Sequence, residues 1–306
     1  MTANPRVSIL MLTYNRPLHI SRAISSVCSQ SFKDWELLVV QDGNNAETFE
    51  IMRDWVARDS RIVHLARGVT GCIAEASNHG LRRARGEYVA ILDDDDYWSD
   101  PEKLSRQVAF LDCNSEYVGC GSGYILIDGA GRTGGGFLKP ETDAQIRAGA
   151  LLANPIGNST AIFRRILNGE PVMYDESMRG FADWDFWLMM GSRGKLYNFP
   201  EYLAHYALWE GGGSFTQQRV NTRAAIRIVQ KHRENYRRFV PAILFAGIQH
   251  LYACLPVSIR RVSYPALSSF KKMLASKTPA GPAGALNSQA DKETSSLDAA
   301  APSRRS

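Results

Sequence analysis

The sequence predicts an α/β protein, with a mostly parallel sheet flanked by helices. Three observations predict it. Short apolar runs alternate with amphipathic stretches in β-α-β-α-β-α-β order as far as residue 92, the pattern of parallel strands joined by covering helices. All but one of those runs end on polar groups, and open parallel sheets bind ligands at the carboxyl ends of their strands. The 306 residues, 44% of them hydrophobic, suffice for one large domain with extensions.

Residues 7–12 (VSILML) read as a buried parallel strand, apolar without interruption. After Asn15-Arg16-Pro17, the residues Leu18, Ile20, Ala23, Ile24 and Val27 share one helical face. Residues 36–40 (ELLVV) form a second strand ending at Asp42-Gly43, and residues 46–57 a second helix through Phe49, Ile51, Met52, Trp55 and Val56. A third strand is expected at Ile62–Leu65, a helix over 72–85 and a fourth strand at Tyr88–Leu92. The clusters Thr13-Tyr14-Asn15, Asp42-Gly43 and Asp93 onward therefore converge on one site.

Beyond residue 100 the pattern is mixed. A helix is expected at Pro101–Leu111, where proline suits the first turn. Gly119–Gly136 reads as irregular, 141–152 as amphipathic, and Phe181–Met190 as a short aromatic-rich segment. Glu210–Ser214 reads as a flexible loop, 220–238 as a basic helix, and 276–306, rich in Ala, Ser and Pro, as a disordered tail. The resulting division is 1–218 for the α/β body, 219–275 for a basic helical extension and 276–306 for the tail.

Five cysteines, an odd number without a Cys-x-x-Cys pair, argue against a zinc site or disulfide framework. The apolar run at Val7–Leu12 lacks the features of a leader peptide, so a cytoplasmic location is expected. The net charge is +5, yet Arg219–Ala275 holds 11 Lys/Arg against the single acid Glu234. An acidic body thus carries a basic arm.

Asp93-Asp94-Asp95-Asp96 follow a buried strand. Adjacent carboxylates repel and raise one another's pKa, and a bound divalent cation relieves that. Mg²⁺ or Mn²⁺ takes one or two protein carboxylates and completes its shell with phosphate oxygens. A solvated turn or a helix start would also accept Asp.

The stretches VSILMLTYNRP, AISSVCSQSF, ELLVVQDG and ASNHGLRRARGEYVAILDDDDYW, in that order, resemble glycosyltransferase family 2, a family of inverting enzymes with the GT-A fold. The resemblance spans residues 5–215. It implies that Thr13 and Tyr14 contact the donor's base, Tyr14 by stacking, and that Asp42 hydrogen-bonds a uracil ring. Asn78 and Arg83 fall in the segment that approaches the nucleotide and diphosphate, although each could instead serve its helix. Asp93 and Asp94 would lie near the ribose, and Asp95 would be the main ligand of Mn²⁺ or Mg²⁺.

Gly180-Phe181-Ala182-Asp183-Trp184-Asp185 resembles the family's Glu-Asp motif, which implies Asp183 as catalytic base with Asp185 as the alternative. Ala182 stands where the family has Glu. Trp209 stands where relatives often have a His that approaches the metal or diphosphate, and His205 is the candidate substitute. A helix N-cap is a further role open to Asp183.

The resemblance implies a nucleotide-sugar donor, with UDP-sugar favoured, and a glycan or lipid-linked saccharide acceptor of the kind used in bacterial surface-polysaccharide synthesis. The apolar run Phe239–Val257, interrupted by Pro241, Gly247 and Pro256, is marginal for a spanning helix. Flanked by Arg237-Arg238 and Arg260-Arg261, it suits peripheral contact with an anionic membrane or packing on the body. No motif or aromatic platform supports nucleic-acid binding. A nucleotidyltransferase would carry a glycine-rich basic loop where this chain has Asn15-Arg16-Pro17-Leu18. A non-catalytic nucleotide-sugar- or glycan-binding scaffold is the alternative that Ala182 and Trp209 keep open.

Overall fold

Strand β1 (Val7–Thr13) is buried along almost its whole length, and its side chains alternate between two cores. Val7, Ile9 and Met11 enter one hydrophobic cluster and Leu10 the other, as the two-residue period of a strand requires. The computed structural model describes residues 4–69, 71–128, 132–207 and 218–255. Its first half runs α1 (Pro17–Cys28), β2 (Trp35–Asp42), α2 (Ala46–Arg58), β3 (Ile62–Arg67), α3 (Ile73–Leu81) and β4 (Tyr88–Ile91). These four strands are parallel, in the order β3-β2-β1-β4. Chain order therefore reverses beside β1, and such a switch point opens a crevice at the strand ends. The opposite edge is closed by polar contacts: Ser8 Oγ donates to Glu36 Oε1 at 2.7 Å and Arg85 Nη2 to Glu36 Oε2 at 2.6 Å.

The second half continues with β5 (Tyr97–Trp98), α4 (Lys103–Cys113), β6 (Tyr117–Ile127), β7 (Thr133–Phe137), α5 (Asp143–Gly149) and a 3₁₀ turn at Asn158–Thr160. Then come β8 (Ile162–Arg164), the hairpin β9 (Ile166–Leu167) and β10 (Glu170–Pro171), α6 (Ala182–Arg193) and β11 (Lys195–Ala207). Antiparallel β8 joins β4 to β6, and β11 and β5 complete the sheet. Helices α1, α2 and α4 bury apolar residues on one face, while α3, α5 and α6 do so on the other.

The expected irregular segment Gly119–Gly136 is instead a strand of 11 residues and its partner β7. Its glycines admit close neighbours. A Cβ on Gly119 would stand 3.0 Å from Ile162 O, and one on Gly121 would stand 2.7 Å from Asn198 Oδ1. Close approach of this kind is a recurrent use of strand glycine. The third strand runs two residues further than expected and ends on Arg67.

The basic helix expected over 220–238 stops earlier, as α7 (Gln218–Lys231), and α8 (Phe239–Cys254) follows. Pro241 does not interrupt α8. It lies in the first turn, whose N–H groups lack intrahelical partners in any helix. Ala225, Ile228, Val229, Ala242 and Ala246 share the hydrophobic cluster of α6, and Tyr236 Oη donates to Leu188 O at 2.7 Å. The start of the basic extension is thus docked on the catalytic body. Trp209, the Glu210–Ser214 loop, Arg260-Arg261 and the 276–306 tail lie outside the described residues. Among the described residues no helix is long and apolar enough to cross a membrane.

Candidate active site

The carboxyl ends of β1, β2, β3 and β4 line one edge and bring four sequence segments together. At the end of β1, Tyr14 is 48% exposed. Asn15 turns the chain with φ 54° and Pro17 opens α1. Beside it Gly43, at φ +146°, faces the Tyr14 ring: a Cβ there would stand 3.6 Å from it. Asp42 accepts from the Gly71 N–H at 3.0 Å, and Arg67 Nε stands 3.9 Å from its other oxygen. Arg67 also donates to Glu75 O at 2.7 Å. So β3, expected to end without a polar group, supplies a guanidinium beside the acid of β2.

The acidic run follows β4, and its members have different surroundings. Asp96 is 1% exposed. It accepts from Ser159 Oγ and, at 2.8 Å, from the Ala207 N–H. It therefore ties the β4 end to the 3₁₀ turn and to β11, and burial holds it well above the usual carboxylate range. The Asp93 N–H donates to Ser159 Oγ at 3.1 Å, while Asn158 Nδ2 lies 3.4 Å from both Asp93 oxygens. Burial, and next the charge of Asp95, push Asp93 up to about 6.

Arg16 is the partner that the acidic run acquires. Its Nη1 donates to Asp95 Oδ2 at 2.5 Å and Asp94 Oδ1 at 3.1 Å. Burial still pushes Asp94 up to about 7, against the pull of Arg16 and the Thr13 hydroxyl. Asp94 Oδ2 and Thr13 Oγ1 are buried and make no hydrogen bond of ordinary geometry to a described residue. Thr13 thus faces the acidic run. Arg22 Nη2 donates to Asp95 O at 3.0 Å, and its guanidinium lies 4.6 Å from the centre of the Tyr97 ring.

Asp183 comes to the same place from α6. The helix N-cap is Phe181, at φ 49° and without a side-chain cap, so Asp183 stands inside the first turn. Asn154 Nδ2 donates to its Oδ2 at 2.7 Å. Burial raises its pKa, opposed by the N–H groups of the helix start and by Lys139. Its negative charge is among the influences that raise Asp93, after burial and the charge of Asp95.

Three expected site residues lie elsewhere. Asp185, 2% exposed, accepts from Lys231 Nζ at 2.8 Å and pairs with His232 Nε2 at 2.9 Å. Both its oxygens thus hold partners at the α6–α7 contact. Asn78 donates to Tyr174 O at 3.0 Å and Glu176 Oε1 at 2.9 Å, and accepts from the Tyr174 N–H at 2.8 Å. It clamps α3 to that segment. Arg83 follows the C-terminal end of α3, which runs antiparallel to the strands. It therefore sits at the amino-terminal edge, near the Arg85–Glu36 pair. His205 stacks on Tyr97 with ring centroids 4.5 Å apart, and burial lowers its pKa.

The 3₁₀ turn is supported from below. Trp98 Nε1 donates to Ser159 O at 2.7 Å and Gln107 Nε2 to Thr160 O at 2.9 Å. Lys103, fully buried, donates to Gln107 Oε1 at 2.7 Å with its Nζ 4.1 Å from the Trp98 ring centre. Burial pushes Lys103 down to about 7.

The donor set at the acidic run is carboxylate oxygen, which suits a hard divalent cation. No three His, Cys, Asp or Glu side chains form a ready cage among the described residues. The buried, unsatisfied Asp94 Oδ2 beside Asp95 still fits a cation that takes one or two protein carboxylates and draws its other oxygens from a bound diphosphate.

A mostly parallel sheet whose switch point carries an acidic run is the architecture of a GT-A glycosyltransferase. The sequence profile of the family described as Glycosyl transferase family 2 matches residues 8–169, and the chain belongs to that family. It is similar to EpsE of Bacillus subtilis, named as a glycosyltransferase: 31% identity over 224 residues, covering 71% of this chain and 78% of that protein. TuaG of the same organism, named for teichuronic acid biosynthesis, is 30% identical over 208 residues, covering 67% and 79%. Escherichia coli WfaP, a UDP-Glc:alpha-D-GlcNAc-diphosphoundecaprenol beta-1,3-glucosyltransferase, is 32% identical over 122 residues, covering 40% and 47%. Two solved structures share the fold. Residues 1–349 of Staphylococcus aureus TarS give a TM-score of 0.60 at 16% identity, covering 83% of this chain and 76% of that one. The mannosyltransferase PcManGT of Pyrobaculum calidifontis, solved with GDP-Man and Mn²⁺, gives 0.59 at 19% identity, covering 97% and 81%.

Proposed function

We propose that this chain is an inverting hexosyltransferase. It moves a sugar from a nucleoside-diphosphate donor, a UDP-sugar, to a hydroxyl of a glycan or lipid-linked saccharide. The observation that carries this reading is the acidic run at the carboxyl end of β4, where the buried Asp94 and its neighbour Asp95 share Arg16 as counter-ion. An inverting transfer needs a base on one side of the anomeric carbon and a place for the departing diphosphate on the other. Asp183, oriented by Asn154, takes the proton of the incoming hydroxyl. Its raised pKa makes it a better proton acceptor than an exposed carboxylate.

Tyr14 offers its open ring face to the base, and Asp42, positioned by the Gly71 N–H, offers an acceptor to a uracil N–H. Asp95 would hold Mn²⁺ or Mg²⁺, which would offset charge on the diphosphate, and Asp93 and Asp94 would lie near the ribose. Arg16, released from Asp95, offers that diphosphate a second cation. UDP-Glc in the name of WfaP and UDP-GlcNAc bound to TarS support a uridine donor. The diphosphoundecaprenol in the name of WfaP supports a lipid-linked acceptor, in bacterial surface-polysaccharide synthesis at the inner face of the cell membrane.

A panel of nucleotide sugars, each with Mn²⁺ or Mg²⁺, tests the reading through donor turnover. Metal-dependent turnover of a UDP-sugar is expected, with loss in Asp95→Ala and Asp183→Asn. Turnover that survives both substitutions excludes this mechanism. Tight donor binding without turnover in the unmodified protein identifies a non-catalytic scaffold instead.

A further inference from the structure

Helix α8 is apolar on two opposite faces. Ala242, Phe245, Ala246 and Ala253 are buried against the body. On the other side Val240 is 63% exposed, Leu244 61%, Ile248 39% and Leu251 70%. At about 100° per residue these four fall within an arc of about 80°, a continuous stripe down the length of the helix. A helix packed on a protein in water turns a polar face outward, and α8 does not. With 16 residues it is shorter than the roughly 20 needed to span a bilayer.

The stripe is framed by cations. Residues 218–255 hold seven Lys/Arg and the one acid Glu234. Arg237 and Arg238 precede the stripe. At its far end an open cleft of about 470 Å³ is lined by Arg219, Val220, Arg223 and His250. Arg219 Nε donates to Ala253 O at 3.2 Å, and Thr222 Oγ1 lies 3.0 Å from His250 Nδ1, so α7 and α8 are joined at that cleft. Arg223 and Arg227 are exposed on the same helix.

We propose that the α7–α8 hairpin docks the enzyme on an anionic bilayer, with the Val240–Leu244–Leu251 stripe in the acyl boundary and Arg219 and Arg223 taking lipid phosphates. Charge complementarity selects this occupant over a second copy, because two such hairpins face to face would oppose like charges. The apolar face and the flanking cations supply the two terms that interfacial binding combines. The proposal rests on the membrane-side acceptor reading and names the surface that would serve it.

The test is vesicle co-sedimentation of the full chain with phosphatidylcholine alone and with added phosphatidylglycerol. The unmodified protein should partition to the anionic vesicles, less so at high salt. Leu244→Ser with Leu251→Ser should lose at least about tenfold in partitioning to both vesicle types. Arg219→Gln with Arg223→Gln should lose only the preference for anionic lipid. Circular dichroism and donor turnover with a water-soluble acceptor, measured on each variant, should match the unmodified protein. Absence of vesicle binding, or binding unchanged by the serine pair, overturns the proposal. So does a dimeric mass by light scattering that the serine pair makes monomeric, which would assign the stripe to a second copy. Vesicle binding without any donor turnover leaves the surface standing and removes the transferase reading instead.

Discussion

Arg16 donates to Asp95 Oδ2 at 2.5 Å, and the same nitrogen reaches Asp94 Oδ1 at 3.1 Å. One guanidinium thus serves as counter-ion to the acidic run. It also competes for the oxygen that a divalent cation would use. Arg16→Ala should bind Mn²⁺ about tenfold more tightly in the absence of donor, the scale of one removed charge contact, as read by titration calorimetry. In metal-free buffer the same variant should lose about 3 kcal/mol of stability, because the nearly fully buried Asp94 is left without its partner. Added Mn²⁺ should restore most of it. A denaturation midpoint insensitive to Mn²⁺ would contradict the exchange.

Asp183→Asn should reduce kcat by about 10²–10⁴, the usual contribution of a positioned base, with little change in donor affinity. The base must be ionised, and burial raises its pKa. Activity of the unmodified enzyme should therefore fall as pH drops through that raised value, above the ordinary Asp range. The residual activity of the variant should lack this acidic limb. A pH–rate profile of kcat/KM on both proteins checks the sign.

Asp185→Ala should act on stability and leave chemistry alone. It leaves the buried His232 without its carboxylate partner, while Lys231 keeps Asp175, and an unsatisfied buried polar group costs about 1–3 kcal/mol. A thermal melt should move down while the kcat of the folded protein stays within about twofold of the unmodified enzyme. A kcat loss as large as that of Asp183→Asn would reopen the assignment of the base.

Lys103 gives a stability signature with pH. Its pKa is 10.5 when free and about 7 in the fold. Between those values the unfolded chain holds a proton that the folded chain releases, so stability rises with pH across that window. Below about 7 the lysine is charged in both states and the full burial penalty applies. Lys103→Met should therefore stabilise the protein at pH 6, on the order of a few kcal/mol, and the advantage should shrink toward pH 10. Urea midpoints of the two proteins across that range test it.

Much of the first half was legible because its signals are local. The run VSILML and the alternation behind it need only burial on both faces to become a central strand. The acidic run announces itself by charge crowding alone. Glycine hid β6: Gly119 and Gly121 weaken strand propensity, and their value lies in how closely Ile162 and Asn198 approach, which is a long-range fact. Arg67 was missed because its strand was ended two residues early. Asn78 and Arg83 were expected near the nucleotide because their segment resembles the family's. The antiparallel course of α3 carries Arg83 to the other edge of the sheet and gives Asn78 to Tyr174.

The family resemblance of residues 180–185 implied Asp183 as a candidate base, while the sequence by itself determined the α/β class and the position of the acidic run after the fourth strand. Those follow from hydrophobic period and from charge, both carried by neighbouring residues. The tertiary structure decided how the acids are used. Asp96 became a brace, Asp95 the partner of Arg16 and Asp185 the anchor of α7. A carboxylate has the same composition in each role. What separates the roles is the burial and the partners that folding brings from 46 to 111 residues away along the chain.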